Sequence, residues 1–343
     1  MAIEEPGPDS PPAEADAGLH GGPDPSGHSG SDANRRALHF ILAAYGLAWT
    51  IALVAWLLGL RYASPAGIPL AAVFMLTPAT AVILLERYVY REPLASVGLR
   101  WRGVRWGWVL TAIPLSWVVT LGTLAITAFV GNLCGVPGFG HLDFSSAGFI
   151  AHLQAFAARS YGMHADVPRL PFPPAVILLL CVAQSSIVGA ALNLPFTIGE
   201  ELGWRGFLLK ATRQLGPVLQ TLLIGAVWGL WHAPLILQGH NYPGHPWSGI
   251  LMMMAFTTSI SYPMGRLAVR SGSVLAPAVF HGVLNPIGMA AGLFIADSNP
   301  LLGSVPGVAG IAAGLLLTAG FALWEARHQA PAGRHPGELG PAG

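Results

Sequence analysis

Eight apolar blocks decide what this chain can become. They run at roughly 37–60, 66–85, 106–131, 174–198, 218–238, 248–268, 274–296 and 304–324. Each is close to the ~20 residues that a helix needs to cross ~30 Å of hydrocarbon. In lipid an unpaired backbone N–H or C=O has no water to turn to, so such blocks must be helical. The fold class read from this is all-α: a polytopic membrane protein of about eight transmembrane helices. Composition agrees, since hydrophobic residues make up 53% of the 343 and charged residues only 10%. A soluble domain carries about 25% charged residues to keep its surface wet. The second and sixth blocks are the least regular, being interrupted by Pro65, Pro69 and Pro78 and by Pro263.

Charge is distributed in a way that tests the count. Seven of the 16 acids lie in the first 32 residues, and no Lys or Arg precedes Arg35. Residues 1–36, rich in Gly, Pro, Ser and Asp, are expected to form a disordered acidic tail, and residues 326–343 a second tail. The eight-helix bundle is placed at 37–325. With the N-terminus cytoplasmic, 14 basic residues fall on inner segments and 3 (Arg61, Arg159, Arg169) on outer ones. That asymmetry follows the positive-inside rule and puts both termini in the cytoplasm of a multi-pass plasma-membrane protein. A formal net charge of +1 gives no field to hold nucleic acid. Two cysteines, Cys134 and Cys181, cannot build a disulfide framework.

Ionisable groups inside the spans need a reason, because a charge at the bilayer centre costs at least ~2.5–3.5 kcal/mol. Glu200 and Glu201 stand together at the end of the fourth block, His232 lies in the fifth, and His281 lies in the seventh with Asn285 one turn on. Neighbouring residues on a helix point ~100° apart, so the two glutamates cannot face one atom equally. Glu201 and Arg205 are spaced for an i,i+4 ion pair, which leaves Glu200 the freer carboxylate. His281 and Asn285, also i,i+4, offer two donors side by side. If the fourth helix continues to Arg213, Glu200, His232 and His281 lie ~20, ~22 and ~16 Å from the inner helix ends at ~1.5 Å per residue. Pro195, Pro234, Pro277 and Pro286 flank these positions, and prolines bend membrane helices around polar cavities. Trp204, Trp228 and Trp231 read as packing or interface residues. The loop histidines His141, His152, His164, His240 and His245 read as ordinary polar positions.

The series Glu200-Glu201-x-x-x-Arg205, Trp228-x-x-x-His232 and His281-x-x-x-Asn285 resembles the CPBP (Abi) intramembrane proteases, which include the type II CAAX prenyl endopeptidases. The resemblance covers about residues 174–290. In that family the second motif usually begins with Phe, where Trp228 stands here. The resemblance implies an intramembrane endopeptidase with its active site in the helix bundle. Glu200 is implied as general base on a water, and His232 as the residue that binds and helps activate it. His281 and Asn285 are implied as the oxyanion-stabilising pair, with Glu201 and Arg205 supporting. The implied substrate is a membrane-embedded or lipid-anchored peptide of CAAX, leader or bacteriocin type. The family is often labelled a metalloprotease. Glu200, His232 and His281 would be the ligands of a zinc ion, if one is held, although HExxH is absent and no obligatory metal is expected. A proton-coupled transporter, or a non-proteolytic immunity or scaffold member of the family, are the alternative readings.

Overall fold

The computed structural model describes residues 30–60, 62, 67–161, 166 and 169–328. Residues 1–29 of the tail expected over 1–36, the chain beyond 328 and His164 lie outside the described residues. The first helix, α1, covers Gly30–Leu57 and so takes in residues that the sequence assigned to the tail. The second crossing is composite: α2 (Gly67–Met75), α3 (Thr77–Leu84) and a wider π turn over Leu85–Tyr90. Pro78 has no N–H for the carbonyl of Phe74, and the Thr77 hydroxyl donates to it instead at 2.8 Å.

Helix α4 (Trp106–Thr127) completes the third crossing with a π turn at Ala128–Leu133. The long segment that follows is more ordered than a plain loop. A two-residue strand, β1 (His141–Leu142), and α5 (Ser146–Tyr161) occupy it. Next come α6 (Pro174–Ala191), α7 (Leu194–Glu201), a π segment over Leu202–Leu208 and the short α8 (Leu209–Ala211). The junction of α6 and α7 is a kink. Leu192 and Asn193 keep right-handed helical dihedrals, while Pro195 withholds the N–H that Ala191 would accept. The fourth block therefore runs on past Glu200, bent rather than straight.

The fifth block is α9 (Gly216–Trp231) followed by the single turn α10 (Ala233–Ile236). Pro234 breaks the ladder between them, and His232 sits at the break. The remaining elements are α11 (Pro246–Ser271), α12 (Leu275–Ala291), β2 (Ile295–Ala296) and α13 (Val308–His328). Strand β2 pairs antiparallel with β1, His141 opposite Ala296.

Six helical stretches among the described residues are long and apolar enough to cross a membrane, against the eight blocks read from sequence. The other two blocks are helical as well. Helix α9 stops at 16 residues, and α11 is diluted by Thr257, Thr258, Ser259, Ser261, Arg266 and Arg270. These two helices pack on each other. Gly225 and Gly229, four apart on α9, face α11 so closely that a Cβ would collide with the Cα of Thr258 and of Met254. The Thr257 hydroxyl donates to the Gly225 carbonyl at 2.7 Å across this seam. Small residues let membrane helices approach in this way, and a polar bond then closes the contact. The molecule is thus a polytopic all-α bundle, with α12 at its centre against α4, α6, α7 and α11. Gly189 of α6 and Gly282 of α12 touch backbone to backbone, next to His281.

Candidate active site

Three helices bring most of the singled-out residues to one place, Asn285 excepted. Helix α7 supplies Glu200 and Glu201, both at most 1% exposed. Arg205 follows one turn later on the π segment, and it too is buried. Its Nη1 donates to both oxygens of Glu201, at 3.1 and 3.0 Å, and its Nη2 donates to Ser261 Oγ at 3.0 Å. The i,i+4 ion pair read from the sequence is therefore present.

His281 comes from α12, and its Nδ1 lies 3.0 Å from Glu201 Oε1. A carboxylate paired with arginine can only accept, so Nδ1 carries the proton of that bond. Sequence spacing set His281 beside Asn285; the structure turns it towards Glu201. Asn285 is exposed and makes no hydrogen bond among the described residues. The two members of the expected donor pair thus occupy different surroundings, because a turn of helix separates a buried position from an open one.

Glu200 has a different partner. The indole Nε1–H of Trp228 on α9 donates to its Oε2 at 2.8 Å. The Trp228 ring also lies under the Arg205 guanidinium, 4.3 Å from its centroid, and meets the His281 ring edge-on at 5.2 Å. His232 stands one turn beyond Trp228, ~6 Å along the axis by the helical rise. Its Nδ1 is 2.9 Å from the Trp228 carbonyl, which can only accept. Nδ1–H is therefore the donor, and Nε2 keeps a free lone pair in the neutral ring.

His240, read from the sequence as a polar loop residue, lies against His232. The two rings stack at 6.2 Å with 8° between their planes, and the Tyr62 ring meets His240 edge-on at 4.6 Å. The loop that carries His240 is held firmly. Gly239 and Asn241 take left-handed backbone conformations on either side. Tyr242 is fully buried and donates to the Pro306 carbonyl at 2.7 Å.

Ser261 and His240 were not singled out by sequence as site residues, and Trp228 entered only as the first residue of the second motif, read as a packing residue. Trp228 had a usable signal, since its i,i+4 spacing to His232 puts both on one helix face. His240 had none, because its place depends on the path of a loop. As for a metal, no group of three His, Cys, Asp or Glu side chains among the described residues could hold one. The set Glu200, His232 and His281 is spread along two buried contacts, with the Trp228 ring between His232 and His281.

Fold and site together define a class: a multi-pass helical protein with a buried carboxylate, arginine and histidine cluster held between three helices. Over residues 176–287 the chain matches the family described as Rce1-like, Type II CAAX prenyl endopeptidase Rce1-like. That stretch holds every motif residue from Glu200 to Asn285. The chain is also 30% identical over 93 residues to the CAAX prenyl protease 2 of Methanococcus maripaludis. The alignment takes in 25% of this chain and 34% of that protein, so it spans about a third of the relative's length.

Proposed function

We propose that the protein is an intramembrane endopeptidase that hydrolyses peptide bonds of membrane-associated substrates. The observation that carries this reading is the meeting of Glu200, Glu201, Arg205 and His281 in one buried cluster, with His232 a turn away. Such groups are costly in a bilayer, and a peptidase has a use for each. The CAAX class is favoured for the substrate, because both similarities named above point to CAAX endopeptidases.

Glu200 is the general base. It is the one carboxylate of the pair without a cationic hydrogen-bond partner. Glu201 is tied to Arg205 and His281, which makes it a scaffold rather than a base. The free Nε2 of His232 accepts a hydrogen bond from the attacking water and orients it. As the water adds to the scissile carbonyl, Glu200 takes its proton and later hands it to the leaving amine. Negative charge then develops on the carbonyl oxygen. His281 donates to it through Nε2, which requires both ring nitrogens to be protonated, and Asn285 donates from the open side of α12. An exposed Asn285 suits a substrate that completes the site on entering it. We place the protein in the plasma membrane with both termini cytoplasmic, on the 14-to-3 distribution of basic residues.

The test is cleavage of a lipid-anchored peptide by the purified protein in proteoliposomes. Glu200→Ala and His232→Ala are each expected to abolish cleavage while the melting temperature stays put. Wild-type rates in both variants would sink the proposal.

A further inference from the structure

We infer that Trp228 is a positioning residue for Glu200: its indole N–H pins one carboxylate oxygen so that the other faces the reacting water. The inference rests on the endopeptidase reading. Glu200 Oε2 is committed to Trp228 Nε1 at 2.8 Å. Oε1 has no hydrogen-bond partner among the described residues, yet it is not one of the sealed, unpartnered atoms of the core. One oxygen is therefore fixed, and the other is left without a protein donor. A carboxylate held at one oxygen cannot swing about its last torsion, so its free lone pair keeps a set direction.

The indole is itself immobilised. Trp228 is only 3% exposed, with Arg205 over one ring face at 4.3 Å and the edge of His281 at 5.2 Å. Each clamp is a side chain of the same cluster. Trp228 thus joins the α7 carboxylate, the arginine of the π segment and the α12 histidine through one rigid ring. Its own carbonyl holds the Nδ1 of His232, so the same residue orients both groups that would touch the water. Other indoles that donate do so to neutral oxygens, Trp117 to Ser186 Oγ at 3.1 Å and Trp49 to the Trp231 carbonyl at 3.3 Å. Trp204 and Trp231 are buried nearby, and neither Nε1 has a partner. A neutral donor also leaves Glu200 its charge to use, which an arginine in the same place would hold far more tightly.

Trp228→Phe keeps the ring and removes the N–H. The experiment uses the full chain in nanodiscs and reads both kinetics and the indole ¹H–¹⁵N resonances of its 11 tryptophans. With a quenched lipid-anchored peptide, Trp228→Phe is expected to lower kcat ~10–100-fold, the range for a hydrogen bond to a charged group. KM is expected to stay within about twofold, since the bond orients a base rather than binds substrate. The indole resonance that vanishes in Trp228→Phe is expected to move in Glu200→Gln, while those of Trp204 and Trp231 stay in place. A kcat equal to wild type in Trp228→Phe overturns the inference, as does a Trp228 resonance indifferent to Glu200→Gln. If the wild-type protein cleaves nothing, the endopeptidase reading fails separately, and the resonance shift still decides whether the indole holds the carboxylate.

Discussion

Two buried carboxylates in this molecule live under opposite conditions. Glu325 on α13 accepts from Tyr262 Oη at 2.8 Å, from Arg266 Nε at 2.7 Å, and from Arg270 Nε and Nη2 at 3.1 and 3.0 Å. Those three partners lie on α11 at i, i+4 and i+8, one stripe that fastens the last helix to the bundle. Glu200 has a single neutral donor, Trp228. A carboxylate between two guanidiniums has its charge neutralised and its lone pairs filled. One with a lone indole keeps both available. The contrast separates a carboxylate saturated by cations from one that is not, without reference to any motif, and it puts Glu201, bound to Arg205 and His281, with the saturated ones.

The comparison can be broken by exchanging what each acid loses. Glu200→Gln keeps shape and removes the proposed base, so cleavage is expected to fall at least ~10³-fold with stability held. The matching substitution, Glu325→Ala, leaves Arg266 and Arg270 uncompensated in the bundle. It is expected to cost about 3–5 kcal/mol, the range for breaking a buried pair. Thermal unfolding in detergent would record that loss, and turnover per folded molecule should remain at the wild-type level. A Glu325 variant that melts normally but cannot cleave would reverse the assignment.

Smaller effects sharpen the picture. Gly229→Leu forces a side chain into the Met254 backbone of α11. It should destabilise by ~1–3 kcal/mol and disturb the site through α9, so both melting point and rate are expected to drop.

A third acid, Glu92, sits outside the spans between Arg36 at 2.7 Å and Lys210 at 3.3 Å. Partial burial pushes its carboxyl up, but the Arg36 hydrogen bond and the charges of Lys210 and Arg36 outweigh this and hold it below the ordinary range. A carboxylate with a depressed value in the folded state adds stability above its ordinary range. That stability is lost as pH falls through the folded-state value. Glu92→Gln should therefore flatten the acid limb of a melting-point profile, by ~1 kcal/mol or less. An unchanged acid limb would show that Glu92 contributes nothing by its charge.

The comparison also marks how far the residues alone could be read. The Glu201–Arg205 pair was legible because i,i+4 spacing on one helix is a local property. The stripe Tyr262, Arg266 and Arg270 was equally visible, but its acid lies on another helix 55 residues beyond Arg270. The break at His232 was foreshadowed by Pro234, and the kink before Glu200 by Pro195. What spacing could not supply was direction. His281 and Asn285 share a helix face on paper, yet one is buried against Glu201 and the other is open. His240 looked like loop and stacks on His232.

By itself the sequence determined that this chain is a helical membrane bundle and which few ionisable side chains needed a purpose there. Both follow from costs paid residue by residue, in unpaired backbone and in buried charge. Only the tertiary structure decided the partners: Glu201 with His281, Glu200 with Trp228, His240 over His232. Those contacts depend on where bent helices cross and how closely glycines let them approach, and no single segment contains that information.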